Sequence, residues 1–168
     1  MAGPTSATSS NYDHRVAARS AGILLHRRRG DTLEVLLVHP GGPFWARRDA
    51  GAWSIPKGEY EPEEDALAAA RREFAEELGI QAPDGEVASL GEVAQKAGKV
   101  VRAWAVAGDL DVATVTSNTF KLEWPPRSGK LREFPEVDRA QWFALDVARK
   151  KINPGQAALL DRLRELPH

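Results

Sequence analysis

Cysteine is absent from all 168 residues, which excludes disulfides, thiolate metal sites and thiol nucleophiles. Long apolar runs are absent too, so no segment reads as a transmembrane helix. The opening stretch, MAGPTSATSSNYDHRVAARS, lacks the apolar core of a signal peptide. The expected setting is therefore cytoplasmic, with no membrane partner. Neither sign of charge is in excess: 23 Lys and Arg stand against 24 Asp and Glu, a net charge of −1. Such a balance gives no bulk attraction to a nucleic-acid backbone or an anionic membrane, and a nucleic-acid partner is not expected. What is present is ordinary for a globular chain, 42% hydrophobic and 28% charged, in a length that can bury a real core.

Residues 1–18 are rich in Ser, Thr, Ala and Gly and read as a flexible leader, with residues 19–168 as one domain. SAGILLHRR and LEVLLVHP read as strands joined by a turn at RRRGD. A Gly/Pro loop, PGGPFWARRDAG, follows, and AWSIP reads as a short strand ending at Pro56. A helix is expected from about Pro62 to Gly79, a residue suited to follow a helix C-terminus. VASLGEVAQKAGKVVRAWAVAGDL reads as two strands joined near KAGK, and NTFKLEWPP as a further strand. EVDRAQWFALDVARKKI begins extended and turns helical, and NPGQAALLDRLREL reads as a terminal helix. Strands on both sides of a central helix suggest an α/β (α+β) fold, a mixed sheet packed between helices.

The central helix carries an oddity. Leu67, Ala70, Phe74 and Leu78 share one face at about 100° per residue. Glu73 and Glu77 lie beside that face, and Glu76 one step further round. Like charges at such spacing weaken a helix. Either the arc is solvated and paired with Arg71 and Arg72, or a cation sits between the carboxylates. Hard oxygen ligands of this kind suit Mg²⁺ or Mn²⁺.

A family resemblance bears on the choice between these readings. Gly58, Glu64, Arg72, Glu73, Glu76, Glu77 and Gly79 stand at positions that resemble the Nudix box, the signature of the Nudix hydrolase family. Phe74 and Ile80 fill its two bulky apolar positions, Phe74 departing mildly from the usual aliphatic residue. The resemblance implies a Nudix-type α/β/α sandwich with a mixed, curved β-sheet. It also implies cleavage of a phosphoanhydride bond in a nucleoside diphosphate linked to some group X. Glu73, Glu76 and Glu77 would then hold Mg²⁺, with the Gly58 carbonyl as a further ligand. Arg72 would fix a carboxylate, and Glu64 would support the turn into the helix or reach a second metal through water. A later acid often completes such a site. Glu136, six residues before Trp142 in EVDRAQW, resembles a segment where several Nudix hydrolases carry one, and Glu133 is the neighbouring candidate; both also read as plain loop acids.

The group X is less legible. WSIPKGE resembles the lead-in of dinucleoside polyphosphate and diphosphoinositol polyphosphate hydrolases; Lys57 reads either as a contact to a phosphate oxygen or as a solvated loop lysine. The tyrosine of many Ap4A-type enzymes is missing, Lys96, Ala97 and Gly98 standing in that region. The proline of many ADP-sugar hydrolases is replaced by Gln95. Lys96, Lys99 and Arg102 surround one hairpin, and Arg127, Lys130 and Arg132 lie in RSGKLREF. Basic loops suit a substrate with many phosphates; each cation alone also reads as solvated loop charge. Phe44 and Trp45 on the Gly-rich loop are suited to stacking a nucleobase, or to anchoring the loop in the core. Trp104 and Trp124 read as sheet packing or pocket wall. The expectation is a Mg²⁺-dependent hydrolase of dinucleoside polyphosphates or nucleoside triphosphates. The alternatives are a silent nucleotide-binding regulator, or a hydrolase of ADP-ribose, nucleotide sugars or diphosphoinositol polyphosphates.

Overall fold

The structure, a computed structural model, describes residues 18–167; apart from Ala18, the expected leader lies outside them. The first strands form because GILL and VLLV are runs of apolar residues that a doubly covered sheet can bury on both faces. Strand β1 spans Arg19–Arg29 and β2 Thr32–Pro40, paired antiparallel from His26↔Val35 to Arg29↔Thr32. Strand β3, Lys57–Glu59, pairs antiparallel with the other end of β1. Strands β4 (Val87–Ala94) and β5 (Val100–Ala107) form the KAGK hairpin, and β5 runs parallel to β1. A separate hairpin joins β6 (Thr119–Glu123) to β7 (Leu131–Pro135). Strand β8 (Val137–Ala144) closes the main sheet against β2, giving the order β4-β5-β1-β2-β8.

Helix α1 (Ala66–Leu78) covers one face and α2 (Leu145–Lys151) and α3 (Ala157–Glu165) the other. The pleat sorts the side chains with period two. Ala21, Ile23, Leu25, Leu36, Val38, Trp104 and Val106 pack with α1. Leu24, Val35, Leu37, Ala103 and Ala105 pack with α2 and α3. This is the expected α/β/α sandwich with a mixed sheet.

Two local expectations are corrected. AWSIP is no strand: Trp53 and Ser54 make single bridges to Ile152 and Val38, and the paired segment is Lys57–Glu59, beyond Pro56. Proline has no N–H to give a ladder; its carbonyl instead accepts the Ile23 N–H at 3.2 Å. The helix begins at Ala66, not near Pro62. Pro62 sits inside a turn closed by the Glu64 N–H on the Glu61 carbonyl, and Asp65 caps the helix by accepting the Ala68 N–H at 2.9 Å. Gly79 ends it in the left-handed region, φ 71°.

The chain from Trp53 to Pro56, which delivers β3, is tethered by a buried polar side chain. Gln156 accepts the Ile55 N–H at 3.0 Å and donates to Gln95 at 2.8 Å and to Ser54 Oγ at 3.0 Å. Gln156→Leu strands these groups in the core, so urea denaturation should show a loss of about 2–3 kcal/mol. A loss under ~0.5 kcal/mol would contradict that role.

Candidate active site

The site is built where β3 crosses beneath α1. Gly58 lies so close to the helix that a Cβ there would meet Glu73 Cγ at 2.7 Å and crowd its carboxyl more tightly still. Only glycine lets β3 and the Glu73 side chain share this space. On the helix, Glu73 and Glu77 are partly buried beside Phe74 and Leu78, and Glu76 is exposed. The expected face is confirmed but broader, since Ala69 is buried and Leu67 only partly so.

Arg72 organises the acids. Its guanidinium donates to Glu73 at 2.8 Å and to both Glu64 oxygens at 3.1 Å, and stands 3.5 Å from Glu76. Glu64 also accepts the Glu61 N–H, and these donors hold its carboxyl below the ordinary value. One planar cation thus ties the turn to two carboxylates of the cluster. Arg72→Lys keeps the charge but loses the fork. It should lower turnover roughly 10- to 100-fold and weaken Mg²⁺ activation, measured as the Mg²⁺ concentration at half-maximal rate. An unchanged midpoint would remove Arg72 from a positioning role.

Glu77 is the most strained charge. Burial pushes its carboxyl up to about 8, against the pull of the Lys57 ammonium and backbone N–H; the charges of Glu73 and Glu136 add to the push. Its Oε2 is buried without a hydrogen-bond partner. Burial raises Glu73 as well, followed by the charge of Glu76. Burial lowers Lys57, although Glu77 draws it back, and Lys99 adds repulsion. A cleft of about 160 Å³ opens here, lined by Pro40, Ser54, Lys57, Glu77, Glu136 and Val137.

A buried carboxylate oxygen without a partner needs a proton or a cation. A donor set made only of carboxylates, beside a backbone segment that permits close approach, fits a hard divalent ion. Among the described residues no three acids or histidines stand close enough together to hold an ion as placed; Glu73 and Glu76 lean on Arg72 instead.

The remaining candidates divide. Glu136 sits at the bend between β7 and β8 and lines the cleft with Glu77. Glu133 is on β7 and accepts from Thr119 Oγ1 at 2.7 Å. Lys96 is exposed in the β4–β5 turn, and it is Lys99 whose charge reaches Lys57. Phe44 and Trp45 are 62% and 38% exposed, so they are not core anchors. Trp104 is buried in β5 as sheet packing. Lys130 and Arg132 make no ion pair with the acids of the cleft among the described residues, and lie on the β6–β7 hairpin.

Two supporting residues escaped the sequence reading. Gln156 is one. The other is His39, fully buried at the end of β2. Its Nε2 donates to the Arg48 carbonyl at 2.6 Å, and its Nδ1 meets Asp138 at 2.8 Å. It pins the Gly-rich loop to β8. The only sequence signal for His39 is a polar residue inside an apolar run.

Comparison with known proteins agrees with this geometry. The NUDIX domain matches residues 16–163. A Caenorhabditis elegans Ap4A hydrolase in a binary complex is similar in fold: TM-score 0.58, 22% identity, covering 86% of this chain and 95% of that one. The NUDIX domain of Shewanella oneidensis NrtR, complexed with ADP ribose, gives TM-score 0.59 and 18% identity over 95% of this chain and 96% of that one. A Nudix hydrolase from M. smegmatis, RenU, gives TM-score 0.55 and 26% identity over 89% and 85%. With the box in place on β3 and α1 and the domain match spanning nearly the whole described chain, the protein belongs to the Nudix hydrolase family.

Proposed function

We propose that this hydrolase is Mg²⁺-dependent and cleaves a phosphoanhydride bond in nucleoside polyphosphates, either dinucleoside polyphosphates such as Ap4A or nucleoside triphosphates. The observation that carries the reading is the Glu77 carboxyl, buried with an unpartnered oxygen in a cleft it shares with Lys57 and Glu136. Glu73, Glu76 and Glu77, with the Gly58 carbonyl, would hold Mg²⁺, or Mn²⁺ in its place. The chemistry such an ion supplies is neutralisation of phosphate oxygens and a lower pKa for water. The chain's own groups do the rest. Lys57 offers an ammonium to a phosphate oxygen; burial works against its charged form and the neighbouring Glu77 favours it. Arg72 holds Glu73 and Glu76 in register. Glu77 or Glu136 accepts the proton of the attacking water, and positioning accounts for most of the acceleration.

The preference for polyphosphates draws support from Lys57 in the cleft, from Lys99, whose charge reaches it, and from the fold similarity to an Ap4A hydrolase. The similarity to a domain complexed with ADP ribose makes that compound the necessary control. The test is product chromatography with Mg²⁺ on Ap4A, nucleoside triphosphates, 8-oxo-dGTP, ADP-ribose, a nucleotide sugar and a diphosphoinositol phosphate. Polyphosphates should be cleaved fastest. Faster cleavage of ADP-ribose or a sugar nucleotide would overturn the substrate class. Tight Mg²⁺-dependent binding without cleavage of any compound would favour the regulator.

A further inference from the structure

Two groups of residues far apart in sequence meet beyond the cleft. In β6–β7 the register pairs Phe120 with Phe134 and Leu122 with Arg132. The Trp124 N–H donates to the Lys130 carbonyl at 3.0 Å, extending the ladder one step. Since side chains alternate across a strand, Phe120, Trp124, Lys130, Arg132 and Phe134 share one face. That face packs on the Gly-rich loop. A Cβ on Gly42 would lie 3.0 Å from Phe120 Cζ, and one on Gly41 would lie 3.0 Å from the Pro135 carbonyl carbon. Phe44 meets Trp124 edge to face, ring centres 5.4 Å apart at 82°. Arg132 stands 5.7 Å over Phe134. The loop is joined to the cleft by the Gly41 N–H on the Glu136 carbonyl at 2.9 Å.

We infer that this hairpin face, with Phe44 opposite Trp124, binds the nucleobase end of a nucleotide whose phosphate chain begins at the carboxylate cleft. The inference rests on the proposed hydrolase reading and narrows its substrate. Phe44 is 62% exposed although it already touches another ring, which leaves aromatic surface open beside two cations. Aromatic rings stack any base, and Lys and Arg between them hold phosphates. Distance selects the length of the chain. Arg132 lies four residues before Glu136 along an extended strand, about 13 Å at ordinary rise, and Trp124 pairs further out still. A ligand that reaches from the cleft to Trp124 needs several phosphates between the reacting bond and the base, as a dinucleoside tetraphosphate has.

The test compares Ap4A with inorganic tripolyphosphate, which has no base, in Trp124→Ala, Phe44→Ala and Trp124→Phe. Expected is a KM for Ap4A raised about five-fold or more in both alanine variants, with kcat kept, recovery in Trp124→Phe, and no change in KM for tripolyphosphate. An unchanged KM for Ap4A overturns the inference, and so does an equal rise for both substrates. Calorimetric titration of Ap4A with Mg²⁺ separates this from failure of the hydrolase reading. If the wild type turns nothing over, weaker binding by Trp124→Ala still supports the nucleobase site, and equal binding overturns it.

Discussion

Glu77→Gln should lower turnover roughly a thousand-fold and, in the same protein, raise the stability of the metal-free fold. The two effects have one cause. The wild-type carboxyl is buried without a partner for Oε2 and is pushed up to about 8 from an ordinary 4.5. A folded acid with a raised pKa binds its proton over a range where the unfolded chain has lost it. Stability from this group is therefore full below about pH 4.5 and falls as pH rises towards 8. Glutamine has no charge to bury. Near pH 8 with EDTA the variant should gain on the order of 2–4 kcal/mol, or roughly 5–10 °C in Tm; near pH 5 the gap should nearly close. Thermal melts at the two pH values read this directly. A variant that is inactive but no more stable at pH 8 would mean that Glu77 is not a strained charge. One that is more stable and fully active would remove it from the chemistry.

Gly58→Ala should cost about 100-fold in turnover while leaving the protein folded. The added methyl would occupy the space of the Glu73 carboxyl and crowd its Cγ at 2.7 Å. The sheet pairing of Ala21 with Gly58 fixes the backbone, so the flexible partner, Glu73, must swing away, breaking its 2.8 Å bond from Arg72. The expected signature is a raised Mg²⁺ requirement with a stability loss of only about 1–2 kcal/mol. Wild-type turnover at wild-type Mg²⁺ would show that the close approach of β3 and α1 is packing alone.

What the sequence discloses about this molecule is what is encoded locally. GILL and VLLV announce strands because both sheet faces are covered, and Gly79 announces a helix end because φ 71° favours glycine. The glutamate arc is legible because helical period and charge repulsion are short-range. The helix starts later than expected because Pro62 suits a turn as well as a first helical position, and Asp65 supplies the cap. Strand β3 lies a few residues beyond its expected place because the missing N–H of Pro56 marks an interruption of the extended chain and not its end. His39 and Gln156 stayed hidden because their partners, Asp138 and Ile55, lie 99 and 101 residues away. Phe44 and Trp124 each stand out in the sequence as a single aromatic residue. Their contact depends on how a loop after β2 packs on a hairpin before β8, which no local pattern contains.

On the proposed function, the carboxylates of α1 bring a divalent cation to a polyphosphate. Its most direct test is the rate of Ap4A cleavage by the wild-type protein, freed of metal with EDTA and then titrated with Mg²⁺, with products resolved by chromatography. Expected are no cleavage before Mg²⁺ is added, a saturable rise as it is added, and nucleotide products that sum to the tetraphosphate. Cleavage that proceeds unchanged in EDTA, or none at saturating Mg²⁺, would contradict it.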